Sequence, residues 1–286
     1  MSAKIANAKG KSYIRRRKLK AEIINAVYPV TRAKIYNGGC VELVREAVQT
    51  IKNKREVDHN RGVITKMSND SISRLILTAQ ATEVRFNSMI TLTYPEMYPS
   101  SGTIVKNDVR VFTQWIRRYY KTEWLWFLEF QKRGAPHVHV LVEQAELSPR
   151  MRANVGFKWA ERIAQARWFL QKFYERDYKD YAIQVNRVLA VACHEKTWEL
   201  IKSPNGARNY VTKYAAKAYQ KQVPEEFRDV GRFWGVSKEA RPEHKHEIDV
   251  TDDEVREYLA ERGHTASEWE VLPKILFNIK QGGQDD

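Results

Sequence analysis

The sequence predicts an α+β fold in which helices pack on an antiparallel sheet. Three observations lead there. Two runs rich in aromatic and aliphatic residues, 124–130 and 136–142, flank a short segment containing Gly134 and read as a hairpin. Another run, residues 86–95, alternates Met89, Thr91 and Thr93 with Ile90, Leu92 and Tyr94, a strand with two chemically distinct faces. Amphipathic helical stretches separate the strands: Val109, Phe112, Trp115, Ile116 and Tyr119 before the hairpin, and Trp159, Ile163, Ala166, Phe169, Leu170 and Phe173 after it.

Taken in order, residues 1–20 carry eight basic side chains and no acidic one, with Arg15, Arg16, Arg17 and Lys18 in one block. The block reads as an arm that tracks a phosphate backbone, or as a solvated tail. A helical pattern at Val41, Leu43, Val44, Ala47, Val48 and Ile51 follows the glycines at 38 and 39. Ser68, Asn69, Asp70 and Ser71 supply caps for a helix over 72–81. Pro95 and Pro99 end the strand that follows it. Pro149 precedes a helical stretch over 157–174, and residues 183–192 read as a short strand. After Arg241 the charge reverses: residues 243–286 hold twelve acidic side chains against five basic. Thr251 and Glu254 form a capping box for a helix over 252–261. His244 and His246 sit among charges without a strand pattern and read as solvated. The expected organisation is a basic arm and helical extension over 1–67, a catalytic body over 68–240, and an acidic helical tail over 241–286.

Forty-nine Lys and Arg against thirty-five Asp and Glu give the 286-residue chain a net charge of +14, which points to a polyanionic partner, nucleic acid first. Two cysteines, Cys40 and Cys193, make no disulfide framework, and no apolar run reaches the length that spans a bilayer. A cytoplasmic protein with no membrane partner is the expectation. The absence of a Gly-x-x-x-x-Gly-Lys-Ser/Thr loop excludes a fused motor driven by nucleotide hydrolysis.

The hairpin carries the first chemistry. His137 and His139 share one strand face because side chains alternate with period two. Pairing Phe130 with Pro136 sets Glu129 opposite His137 at about 5 Å. Two imidazoles and a carboxylate then face one point, a donor set that suits several divalent ions. Two histidines on a strand are also consistent with ordinary hydrogen-bonded residues.

The second chemistry follows the Asn205-Gly206 turn. At 100° per residue, Tyr210, Lys213, Tyr214 and Lys217 fall on one helical stripe, with Val211, Ala215 and Ala218 turned to the sheet. A phenolate can attack phosphorus while a lysine offsets phosphate charge. An amphipathic helix packing its phenol rings gives the same stripe.

In combination these elements resemble a known family. The strand Ile90-Thr-Leu-Thr-Tyr94, the Glu129 and His137-x-His139 hairpin and the doubled Tyr-x-x-Lys at Tyr210 and Tyr214 follow the order of the three motifs of rolling-circle replication initiators, the two-tyrosine phage and plasmid Rep class of HUH endonucleases. Residues 231–237, Gly-Arg-Phe-Trp-Gly-Val-Ser, also resemble a segment found after the tyrosine helix in that class. The resemblance spans about residues 68–237, and Val138 is smaller than the residue often found between the two histidines. It implies a ferredoxin-like or RRM-like antiparallel sheet, the HUH endonuclease fold. It further implies Mg²⁺ or Mn²⁺ on Glu129, His137 and His139, and a 5′-phosphotyrosine on Tyr210 or Tyr214 beside Lys213 and Lys217. Single-stranded origin DNA is the expected partner, touched by Arg15, Arg16, Arg17, Lys18, Arg133 and Arg208, with a host helicase and DNA polymerase completing the process. An HUH transposase, a DNA-binding repressor or origin-recognition protein without cleavage, and a hydrolase using activated water are the alternative readings.

Overall fold

The computed structural model describes residues 30–36, 40–46, 66–143, 148–173, 178–194, 197–203, 206–220, 223–261 and 274–278, with the side chains of 30, 45, 46, 178, 214–220, 258, 259 and 274–278 left out. The chain divides into two compact units: Asn60–Pro242, and Met1–His59 together with Glu243–Asp286.

The Asn60–Pro242 unit is α+β. Its antiparallel five-stranded sheet runs β6 (Trp198–Leu200), β3 (Ser88–Thr93), β5 (Pro136–Val142), β4 (Trp124–Phe130), β7 (Trp234–Val236). Packed with it are α1 (Asn69–Ala81), α2 (Gly102–Tyr120), α3 (Pro149–Ala164), the single turn α4 (Arg167–Leu170), α5 (Tyr178–Ala192) and α6 (Gly206–Gln220). This arrangement is consistent with an HUH-like fold.

Local chemistry explains several element ends. Ser68 caps α1, its Oγ accepting from the Ser71 N–H at 3.2 Å. Pro149 occupies the first turn of α3, where its missing N–H costs nothing, and Ser148 caps that helix. The helical stretch expected over 157–174 therefore starts earlier, and it breaks at Ala166, whose backbone is extended before α4 begins. Residues 183–192, expected as a strand, belong to α5. Val188 and Ala192 recur at helical spacing and are buried at 1% and 2% exposure, and a 15-residue helix outweighs the β-branched run.

The helices are tied to the sheet at one buried charged cluster. Asp108 of α2 is fully buried, accepts from Tyr94 Oη at 2.9 Å, and meets Arg162 Nε of α3 at 2.7 Å. Burial pushes the Asp108 carboxyl up, against the Arg162 charge and the hydrogen bonds that favour its ionised form. Trp159 of α3 donates its indole N–H to the Thr93 carbonyl at 3.0 Å.

The other unit holds an antiparallel sheet of order β8 (His244–Val250), β1 (Val30–Tyr36), β2 (Cys40–Glu46), β9 (Lys274–Asn278), together with α7 (Asp252–Glu261). The helix expected from Val41 is a strand as far as Glu46. Val41 and Leu43 pair with Ile35 and Ala33, and that period-two face, with Val255, forms a small core. Residues 47–51 of the expected helix lie outside the described residues. His244 and His246 are on a strand too, yet both are exposed as expected. The segments read as separate extension and tail thus supply strands to one sheet. The Thr251–Glu254 capping box is present, with Thr251 N–H on Glu254 Oε2 at 2.7 Å and Glu254 N–H on Thr251 Oγ1 at 3.3 Å.

Replacing Asp108 by alanine leaves the Tyr94 hydroxyl and the Arg162 guanidinium without their buried partner. Urea unfolding of Asp108→Ala should show a loss of about 3 kcal/mol against the unaltered chain.

Candidate active site

Strand register builds the first half of the site. Glu129 pairs with His137 and Phe127 with His139 across β4 and β5, the alignment expected from the hairpin. Its turn closes through Gln131 N–H to the Ala135 carbonyl and Gly134 N–H to the Gln131 carbonyl, both at 2.9 Å. Gly134 has φ +83°, a conformation that a Cβ would strain. Side-chain ligand atoms of Glu129, His137 and His139 lie within 4.8 Å of one another.

On the other flank, β3 pairs Thr93 with His137 and Thr91 with His139. Each threonine hydroxyl meets the Nδ1 of its histidine, at 3.0 Å for Thr93 and 3.3 Å for Thr91. Gln131 Nε2 also approaches His137 Nδ1 at 3.2 Å. With Nδ1 engaged on both rings, Nε2 is the ligand atom on offer, and His139 Nε2 stands 3.6 Å from Glu129 Oε1. Phe127 stacks on His139 with ring centroids 5.1 Å apart, and His139 is only 2% exposed. Ligand atoms about 2.0–2.6 Å from a shared ion fill such a span. The three residues fit a divalent cation.

A cavity of about 590 Å³ opens over this face, lined by Thr91, Thr93, His137, His139, His194 and Glu199 among others. Glu199 is on the edge strand β6, paired with Met89, so it faces the same side as Thr91 and Thr93. From strand spacings its Cα is roughly 12 Å from that of His139. Tyr210 of α6 donates its hydroxyl to Glu199 Oε2 at 3.0 Å. Burial, then the hydrogen bond and negative charge of Glu199, push the Tyr210 phenol above its ordinary value. Val211, the next residue on α6, is fully buried and anchors the helix.

The remaining expected site residues are placed as follows. Lys213 is exposed on α6 and Arg208 half-buried near its start. Tyr214 and Lys217 belong to the same helix, but their side chains lie outside the described residues, as do Arg15, Arg16, Arg17 and Lys18 and the turn residue Asn205. Arg133, expected at DNA, is engaged within the protein: it donates to the Tyr94 and Glu96 carbonyls and to Gln131 Oε1 and lies 5.4 Å from the Tyr98 ring centroid. Glu199, His194 and Gln131 were not found from the sequence, and Thr91 and Thr93 were seen only as an alternating strand face.

Residues 87–219 match the family model for the replication-associated protein ORF2. The matched stretch contains Glu129, His137, His139, Tyr210 and Tyr214 and is just under half of the chain. Comparison with curated proteins and with solved structures yields no match. The family match supports a replication initiator, and an initiator's role implies DNA binding. Among the described residues no helix is long and apolar enough to cross a membrane.

Thr93 orients His137 without occupying a ligand position. Thr93→Val should therefore weaken Mn²⁺ binding by roughly 10- to 100-fold in isothermal titration while leaving the unfolding midpoint nearly unchanged.

Proposed function

We propose that this chain is a metal-dependent nickase that starts rolling-circle replication of a phage or plasmid by cutting single-stranded or extruded origin DNA. The observation that carries the reading is one cavity lined both by His137 and His139, which cluster with Glu129, and by Glu199, the hydrogen-bond partner of Tyr210. Glu129, His137 and His139 would hold Mg²⁺ or Mn²⁺, which when bound supplies Lewis-acid polarisation of the scissile phosphate.

The chain's own residues divide the remaining work. Tyr210 Oη attacks phosphorus, its proton passes to Glu199, and the bond from phosphorus to the 3′ oxygen breaks. The 5′ end stays on the protein as a phosphotyrosine, and the 3′ oxygen takes a proton from water to become the primer hydroxyl for a host polymerase. Since Tyr210 is held protonated near neutral pH, the proton leaves as the new bond forms, the situation in which a positioned carboxylate base is effective. Lys213, Lys217 and Arg208 offset phosphate charge. Tyr214, one turn further along α6, takes the second cleavage when synthesis regenerates the origin, and a host helicase unwinds the duplex. The basic arm at Arg15, Arg16, Arg17 and Lys18 adds affinity through phosphate contacts.

Incubation with Mn²⁺ and pools of single-stranded DNA, followed by sequencing of covalent adducts, tests the reading. A 5′-linked adduct at a defined sequence, lost in His137→Ala, is the expected result. Free cleaved ends without adduct would replace it with a hydrolase using water, and binding without cleavage with a repressor. Within the nickase, Glu199→Gln keeps an acceptor for the Tyr210 hydroxyl but cannot readily take its proton. Single-turnover adduct formation should slow by about 10²-fold or more with DNA affinity unchanged.

A further inference from the structure

The Asn60–Pro242 unit has a second polar cavity, about 740 Å³, at the β7 edge of the sheet. Arg74 of α1, Arg232 and Arg241 from either side of β7, Trp124 at the start of β4 and the partly buried Trp234 contribute to its lining. None of these three guanidinium groups makes a hydrogen bond or ion pair with a described residue. Several other arginines of the unit are ion-paired, Arg117 with Glu123 and Glu239, Arg162 with Asp108, Arg187 with Glu96 and Arg228 with Glu225, while Arg85, Arg118, Arg150 and Arg167 have no ion pair among the described residues. Asp70 shares the lining without bridging to any of the three. Three like charges around one concavity repel one another, and the described protein supplies no compensating contact. An anionic occupant would.

The walls suggest which anion. Trp234 is fixed by its indole N–H on Ser71 Oγ at 3.0 Å. Gly235 lies so close to Trp126 that an added Cβ would stand 2.8 Å from its Nε1, and Lys106 covers the Trp126 ring at 4.7 Å while donating to the Arg232 carbonyl. The β7 edge is thus clamped on both faces, and Trp234 is held beside three cations. Guanidinium groups match phosphodiester oxygens, and tryptophan faces match bases that are not already stacked in a duplex. An acidic peptide would satisfy the arginines but leave the Trp234 ring without a partner. The volume falls in the range of clefts that enclose small ligands, enough for one or two nucleotides but not a duplex.

Position adds a further constraint. Trp234 pairs with Phe127, which pairs with His139, so Trp234 shares the sheet face of His139 and stands two strands, or about 10 Å, from it. Glu199 and Tyr210 are at the opposite, β6 side. A strand entering over β7 would reach the cluster within a few nucleotides.

We propose that this cavity seats unpaired nucleotides of single-stranded DNA, with Arg74, Arg232 and Arg241 on phosphodiesters and Trp234 against a base. Its place beside the scissile phosphate rests on the nickase reading; binding itself does not.

The test uses the full chain in EDTA, so that no cleavage intervenes, and a fluorescent dT oligonucleotide of about twelve nucleotides. Anisotropy is followed from about 50 to about 200 mM salt for the unaltered chain and the triple variant Arg74→Ala, Arg232→Ala, Arg241→Ala. The triple variant should lose roughly tenfold or more in affinity, and the log–log salt slope should become shallower by about 2, near 0.7 per lost phosphate contact. An abasic strand of equal length should bind the unaltered chain more weakly and quench its tryptophan fluorescence less. Unchanged affinity and slope would overturn the proposal, and so would polyglutamate competing as well as the dT strand. Adduct assays with Mn²⁺ separate the two readings. Loss of slope in the variant with no adduct from the unaltered chain retains the cavity and removes the nickase; adduct with an unchanged slope does the reverse.

Discussion

The structure of the candidate site depends on the alignment of three antiparallel strands. Thr93, His137 and Glu129 lie in one row across β3, β5 and β4, and Thr91, His139 and Phe127 in the next. A slip of one residue in either pairing would send a whole set of side chains to the opposite face, separating ligands from their partners. The register is held on the other face by Ile90, Leu92, Val138 and Val140, all fully buried. Burying that apolar face and presenting a polar one are therefore consequences of a single alignment.

The helices make that alignment rigid at the end of β3. Tyr94 follows Thr93 directly, and its ring packs edge-on against Trp159 with centroids 5.2 Å apart while its hydroxyl meets Asp108. Arg162 completes the cluster from α3. A buried carboxylate is tolerable only because both partners are supplied, and together they connect α2, α3 and β3. The threonine that meets His137 is consequently one residue from this buried polar cluster. Arg133, in the hairpin turn, secures the same end through the backbone carbonyls of residues 94 and 96.

Charge in the Asn60–Pro242 unit is arranged in two ways. Several arginines are engaged by carboxylates or carbonyls and serve the fold, whereas Arg74, Arg232 and Arg241 surround a cavity without such engagement among the described residues. Glu199 brings negative charge to the cavity lined by His137 and His139, where its hydrogen bond fixes the Tyr210 hydroxyl. Positive charge is thus gathered at the β7 edge and the Glu199 carboxylate at the β6 edge, with the Glu129, His137 and His139 cluster between.

The sequence by itself determined what depends on neighbours a few residues apart. The β4–β5 hairpin, its Glu129–His137 register and the caps at Ser68 and Thr251 were legible because turn length and side-chain period act locally. The shared stripe of Tyr210 and Lys213 follows equally from one helix. Sequence reasoning failed where long-range pairing overrode local pattern: Val41 and Leu43 became a strand face because Ile35 and Ala33 align beside them, and residues 183–192 joined a helix whose inner face packs on the core. Only the tertiary structure could place Glu199. It stands on a three-residue strand too short to read, and its meeting with Tyr210 depends on how β6 and α6 both pack against the larger sheet. The same is true of the three arginines, which are distant in sequence and converge because β7 closes the sheet edge beside α1. Local periodicity fixes which face a side chain takes; the packing of distant elements decides what that face meets.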